Sequence, residues 1–177
     1  MKNAGKVFEE QFKKSVPEYC MIHRLKDTAQ SYNNSLETKF AWNNPCDFFI
    51  FNSLTRFFYC LELKSTKYKS MNFQIDENDN SKKMIKYHQR KSLREFAKFN
   101  GVYAGFLFNF RNEDNGTERT YFQKISDFER MIASIPKKSF DEMDLLLHHA
   151  IKVNGTKKRI NYIWDIDGLL KKVEVQI

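Results

Sequence analysis

The sequence contains no long apolar segment. Its longest hydrophobic runs have the length of a strand and charged residues interrupt the rest, so no transmembrane helix is predicted. The first six residues lack the apolar core that a secretory signal contains. Cysteine is scarce: Cys20, Cys46 and Cys60 are odd in number and scattered, which implies no disulfide framework, and no Cys/His spacing suits zinc. These absences predict an intracellular, soluble and reduced protein.

Positive charge and phenylalanine are abundant. The 177 residues include 30 Lys and Arg against 22 Asp and Glu, for a net charge of +8, and 17 Phe. With 41% hydrophobic residues the chain can form a real core. The basic charge favours a polyanionic partner, with DNA or RNA first and an anionic membrane second. The alternative is an ordinary solvated surface, since Lys far outnumbers Arg.

Hydrophobic periodicity predicts a mixed order of helices and strands. The predicted helices span 3–16, 81–99, 126–134, 140–151 and 166–172, and the predicted strands span 19–26, 46–52, 56–64, 102–110, 117–124 and 159–163. Residues 27–44 and 65–80 have the polar composition of loops. A short turn joins 46–52 to 56–64, which predicts an antiparallel hairpin. No linker divides residues 1–177, so we expect one α/β domain with a mixed central β-sheet flanked by helices on both faces.

Three charged residues stand out in the predicted hairpin. Glu62 and Lys64 are two positions apart on a strand that is apolar on both sides before them, so they share one face. Burying an ion pair there costs on the order of several kcal/mol unless another interaction compensates. Asp47 begins the partner strand, and pairing across the turn brings both carboxylates to the same end of the sheet. The alternative is a surface Asp47 beside an exposed Glu62–Lys64 pair.

This arrangement indicates metal-assisted phosphate chemistry. Two neighbouring inward carboxylates repel each other unless they share a proton or a cation. Mg²⁺ prefers oxygen ligands and is typically held by one or two carboxylates together with a substrate phosphate. Such a metal could lower the pKa of a bound water, while Lys64 could orient that water or neutralise the developing charge.

Several further residues are candidates for the same site. Gln89 lies on the core-facing stripe of the predicted helix 81–99, where it either caps a buried backbone group or reaches into the site. Glu9 is either a third carboxylate beside the metal or a stabiliser of the helix dipole. Five cationic residues are candidate DNA contacts, and ordinary solvated charge is the alternative for each: Arg24, Lys67, Lys69, Lys86 and Arg90.

The order of these residues resembles a known nuclease signature. Asn44-Pro45-Cys46-Asp47 followed by Glu62-Leu63-Lys64 resembles the PD-(D/E)xK motif. The upstream Gly5-Lys6-Val7-Phe8-Glu9 and the downstream His88-Gln89 resemble one branch of that superfamily, the RecU-type Holliday junction resolvases of phages and low-GC Gram-positive bacteria. The likeness runs from about residue 3 to 125 and continues more faintly to the C-terminus.

The resemblance implies a fold and a set of residue roles. The fold would be restriction-endonuclease-like, with a catalytic core at about 3–125 and with 126–177 used for packing or dimerisation. Asp47 and Glu62 would be metal ligands, Lys64 the catalytic lysine, Gln89 a supporting residue and Glu9 an auxiliary acid. The family is homodimeric, uses Mg²⁺ or Mn²⁺, and nicks two opposed strands of a four-way junction symmetrically, leaving 5′-phosphates.

We therefore expect a cytoplasmic, structure-selective DNA endonuclease of recombination and repair, encoded by a bacterium or its phage. Its partners would be branched DNA and a second copy of the chain, with no membrane and no nucleotide cofactor. Two alternatives stay open. One is another PD-(D/E)xK endonuclease of the repair or restriction type, which would cut linear duplex. The other is a recombination accessory that binds junctions without cutting them.

Overall fold

The computed structural model describes residues 3–25 and 44–175. Of the predicted polar segment 27–44, residues 27–43 therefore lie outside the described residues. The helices are α1 (Ala4–Ser15), α2 (Tyr87–Phe96), α3 (Ile125–Ser134), α4 (Glu142–Leu147) and α5 (Ile166–Val175). The strands are β1 (Cys20–Arg24), β2 (Phe48–Asn52), β3 (Phe58–Thr66), β4 (Ser70–Asn72), β5 (Val102–Asn112), β6 (Thr117–Lys124), β7 (Ser139–Asp141), β8 (Ile151–Val153), β9 (Gly155–Lys158) and β10 (Asn161–Trp164). The longest described helix has 12 residues, and none of the described helices could cross a membrane.

Six strands form the central sheet, in the order β1-β2-β3-β5-β6-β8. The β3–β5 pair is parallel and the other neighbouring pairs are antiparallel, so the sheet is mixed, as predicted. The predicted hairpin is confirmed, with Phe48 opposite Leu61 across β2 and β3. Two-stranded sheets pair β4 with β7 and β9 with β10.

Helices cover both faces of the central sheet, which confirms the predicted fold class. On the α1 face, Phe12 of α1 and Leu170 of α5 pack with Tyr59 of β3. On the α2 face, helices α2, α3 and α4 bury a phenylalanine-rich core that includes Phe128 and contacts Cys60 of β3. Because side chains alternate along a strand, β3 contributes to both cores. It is buried on both sides, as its apolar sequence indicated.

The second helix is shorter than predicted. Helix α2 begins at Tyr87, whereas the periodicity indicated a start at 81. Ile85 instead forms a parallel bridge with Phe73. Its N–H donates to the carbonyl of Asn72 at 3.0 Å, and the N–H of Met84 donates to Asn72 Oδ1 at 2.8 Å. Both N–H groups are thus bound to Asn72, the last residue of β4, so they cannot form helical hydrogen bonds. The predicted loop 65–80 correspondingly contains β4.

The predicted helix 140–151 is also divided. Asp141 caps α4, its carboxylate accepting hydrogen bonds from the backbone of Met143 at 2.9 Å and Asp144 at 3.1 Å. The chain leaves the helix through His149, whose φ is +66°, and then joins the central sheet as β8. The predicted strand 159–163 is the second strand of the β9–β10 hairpin, and the final helix is confirmed.

Candidate active site

Asp47 lies directly before β2 and is fixed against β3. Its N–H donates to the carbonyl of Leu61 at 3.1 Å, and its Oδ2 accepts the N–H of Leu63 at 2.7 Å. Hairpin pairing thus places this carboxylate beside the part of β3 that carries Glu62. The expected approach of the two carboxylates at one end of the hairpin follows from these two backbone contacts.

Glu62 is the centre of the cluster. Its Oε1 accepts a hydrogen bond from Gln89 Nε2 at 2.5 Å and forms an ion pair with Lys64 Nζ at 2.8 Å. The Glu62 side chain is 5% exposed and that of Lys64 is 18% exposed, so the alternative of an exposed pair is wrong. Both residues lie on the α2 face of β3, as the period-two pattern predicted.

Gln89 connects this cluster to helix α2. While its Nε2 donates to Glu62, its Oε1 accepts the N–H of Lys86 at 3.0 Å. The two alternatives raised by its sequence position therefore both occur: the side chain satisfies a backbone group at the start of the helix and reaches into the site. The late start of α2 makes this possible, because Gln89 now lies in its first turn.

The two carboxylates repel each other. Burial, followed by the charge of Glu62, raises the pKa of Asp47 to about 7, against the lowering effects of the Leu63 N–H and the Lys64 ammonium. Asp47 Oδ1 and Glu62 Oε2 accept no hydrogen bond from the described residues. Two carboxylate oxygens that accept no hydrogen bond from the described residues suit a hard cation.

The donor set fits Mg²⁺ better than a closed, all-protein metal site. Within residues 3–25 and 44–175, no group of three or more His, Cys, Asp and Glu side chains is arranged to hold a metal. Mg²⁺ retains waters and needs only one or two carboxylates with a phosphate, which Asp47 and Glu62 could supply. Glu9 is near enough to contribute to the raised pKa of Asp47, but its Oε2 lies 2.6 Å from Arg24 Nε in an ion pair.

The candidate DNA contacts have different surroundings. Lys67 and Lys69 are exposed in the connection that follows β3, and Lys67 Nζ lies 3.7 Å from Glu113 Oε2. Lys86 is half-buried immediately before α2. Arg24 is half-buried and its guanidinium contacts Glu9. The structure thus places Arg24 and Lys86 beside the carboxylate cluster and the two other lysines beyond the end of its strand.

The prediction for Arg90 is wrong. Arg90 is 3% exposed, and its Nε and Nη2 donate to the two carboxylate oxygens of Glu129, each at 2.8 Å. Its Nη1 donates to the carbonyl of Gln74 at 2.5 Å. Helix α2 turns this residue towards α3 and the segment after β4, so its guanidinium cannot reach a phosphate.

His88, which precedes Gln89 in α2, is a further neighbour of the site. It is exposed, but partial burial lowers its pKa, with Glu62 acting in the opposite direction and Lys64 and Lys86 adding to the lowering. Its charge therefore interacts with the cluster. The sequence signal for this position was the His88-Gln89 motif.

Comparisons with known proteins identify similar proteins in sequence and in structure. No protein-family profile matches the sequence. Among solved structures, the 1.6 Å structure of Hjc, a Holliday junction resolvase from Archaeoglobus fulgidus, covers 83% of this chain and 93% of its own, with a TM-score of 0.46 and 15% identity. The SPbeta prophage-derived uncharacterized protein YotM of Bacillus subtilis (strain 168) is 30% identical over 181 residues, spanning 94% of this chain and 85% of that protein. By this similarity the chain belongs to the same family as YotM.

Proposed function

We propose that this chain is a metal-dependent, structure-selective DNA endonuclease that resolves Holliday junctions by paired symmetric nicks, with a RecU-type PD-(D/E)xK core. The observation that carries the proposal is the convergence of Asp47, Glu62, Lys64 and Gln89, residues from three segments, at one end of the central sheet. Burying two carboxylates and a lysine costs desolvation free energy, which indicates that these residues serve a function. A carboxyl group with a strongly raised pKa, as found for Asp47, is typical of functional sites.

The residues have distinct roles in this proposal. Asp47 and Glu62 would hold Mg²⁺, which Mn²⁺ could replace, and Glu9 would be an auxiliary acid. When bound, the metal supplies Lewis acidity that lowers the pKa of a water and stabilises charge on the phosphate. Lys64 reaches the site with partial solvent exposure, so its ammonium can orient the attacking water or neutralise the developing charge. Gln89 fixes the orientation of Glu62.

Binding would come mainly from cations on phosphates. Lys67, Lys69, Lys86 and Arg24 are the candidate contacts, and the net charge of +8 supports a polyanionic partner. Each neutralised phosphate releases counterions, so junction affinity should fall steeply with salt. Two opposed cuts on a two-fold symmetric junction need two active sites, which favours a homodimer. In-line attack by water would leave 5′-phosphates.

The test is cleavage of a labelled synthetic four-way junction beside linear duplex of the same sequence, in Mg²⁺, Mn²⁺ or EDTA. Wild type should make paired symmetric nicks in the junction only. EDTA, Asp47→Asn and Glu62→Gln should each abolish cleavage. Glu95→Gln is the matched control, because Glu95 is exposed in the last turn of α2 and pairs with Lys98. It should cut like wild type.

Other outcomes identify the alternatives. Cleavage of both substrates would indicate another PD-(D/E)xK endonuclease of the repair or restriction type. Junction binding without cleavage in either metal would indicate a recombination accessory. Undiminished cleavage by Asp47→Asn and Glu62→Gln would place the active site elsewhere. Sedimentation of the chain alone and with junction tests the dimer.

A further inference from the structure

An exposed aromatic ring follows the strand that carries Glu62 and Lys64. Tyr68 lies in the three-residue connection between β3 and β4, four positions after Lys64, and is 69% exposed. Its backbone N–H donates to the hydroxyl of buried Thr66 at 3.1 Å, and Ser70 begins β4. The strands on both sides and this hydrogen bond fix the backbone of the connection, so the ring projects from a defined position. The ring is too exposed to contribute to the core.

A cavity of about 790 Å³ opens beside this ring. Phe110 and Tyr121 in its wall belong to the core of the α2 face, the face that carries Glu62 and Lys64. Since β3 and β5 are parallel, with Thr66 opposite Phe110, the cavity lies at the active-site end of the sheet. The exposed side chains of Met143 and Leu146 provide further apolar wall.

The charges of the cavity favour a neutral ligand over a phosphate within it. Arg111 Nη1 lies 3.1 Å from Glu113, and Arg119 Nη2 lies 2.5 Å from Glu142, so carboxylates already bind both arginines of the wall. A phosphate inside would be repelled by the remaining acidic groups. The cavity is lined by four carboxylates, Glu113, Asp114, Asp141 and Glu142, and by two exposed lysines, Lys67 and Lys69. Lys67 Nζ lies 3.7 Å from Glu113 Oε2, a longer and more exposed pair than those of the two arginines, so a phosphate can compete for it.

We propose that Tyr68 stacks on an unstacked nucleobase of branched DNA beside the scissile phosphate, with the base in the cavity and the flanking phosphates on Lys67 and Lys69. A nucleobase is neutral and flat, and its amino groups can donate hydrogen bonds to carboxylates. Aromatic platforms of this kind tolerate any base, because every base has a π-face. A base at a branch point is also less costly to unstack than one inside a duplex. The inference rests on the proposed function, since it concerns the same DNA substrate.

The test uses four-way junctions that carry 2-aminopurine at single positions on either side of the branch point, bound in EDTA. Wild type should change the fluorescence at one position next to the branch. Tyr68→Ala should abolish that change and weaken junction binding by about tenfold. Tyr68→Phe should retain both, because the ring remains. Phe99→Ala is the matched control: Phe99 is 66% exposed and precedes β5 at the opposite end of the sheet, so its loss should change neither signal.

The readout separates this inference from the proposed function. It is overturned if wild type changes no position near the branch, if Tyr68→Ala matches wild type, or if Phe99→Ala loses as much as Tyr68→Ala. A protein that engages the base through Tyr68 but cuts nothing would refute the endonuclease alone. A protein that resolves junctions while Tyr68→Ala retains full affinity and fluorescence change would refute the stacking role alone.

Discussion

Removing one partner of the buried Arg90–Glu129 pair should strongly destabilise the fold. Arg90→Ala removes a guanidinium that is 3% exposed and that donates to both oxygens of Glu129 and to the carbonyls of Gln74 and Ile75. The acceptors left behind would be partly or wholly cut off from water. Removing one partner of a buried pair costs about 3–5 kcal/mol. The Glu129 side chain is 22% exposed and can recover some hydration, which favours the lower end of that range.

A loss of about 3 kcal/mol corresponds to a fall in melting temperature of about 6–12 °C for a chain of this size. Urea unfolding followed by circular dichroism would measure the free energy of unfolding directly. Arg94→Ala is the matched control, because Arg94 also approaches Glu129, at 3.4 Å, but its side chain is 35% exposed. Its loss should cost less than about 1 kcal/mol.

The reasoning is refuted if Arg90→Ala costs less than about 1 kcal/mol or no more than Arg94→Ala. A double-mutant cycle with Glu129→Ala adds a second check, because the double variant should lose clearly less stability than the two single losses combined. Junction affinity of Arg90→Ala, measured well below its melting temperature, should match wild type. A selective loss of affinity and a shallower salt dependence would instead show that Arg90 contacts DNA.

Three further results are expected. Lys64→Met should lower the cleavage rate by at least about 100-fold while junction binding in EDTA persists, because in the proposed function the lysine acts on the developing charge. Equal losses of binding and cleavage would contradict this role. Raising the salt concentration should weaken junction binding with a linear log–log slope, measured by anisotropy, and a flat slope would exclude phosphate contacts as the main source of affinity. Gly155→Ala should lower the free energy of unfolding by about 1–3 kcal/mol in a thermal melt, because its new Cβ would collide with the Trp164 ring. Gly5→Ala is the control and should not destabilise, because the nearest atom to its new Cβ lies 3.4 Å away.

Local patterns determined much of the candidate active site. The alternation along β3 placed Glu62 and Lys64 on one face, because successive side chains of a strand point to opposite sides whatever surrounds it. The short turn determined the antiparallel hairpin, and hairpin pairing brought Asp47 to the same end. The apolar residues on both sides of β3 likewise predicted a strand between two layers. These conclusions depend on residues close in sequence, where geometry leaves few choices.

Contacts between distant segments decided the rest. Asn72 and Gln74 form hydrogen bonds with the backbone of Met84 and Ile85, which delays the start of α2 and overrides a helical periodicity beginning at 81. The orientation of α2 against the sheet then sends Gln89 to Glu62 and buries its neighbour Arg90 against α3. Helical periodicity gives the angle between residues of one helix, but not its rotation relative to a sheet. Only tertiary packing selects that rotation, because the rotation depends on which distant backbone and charged groups must be satisfied.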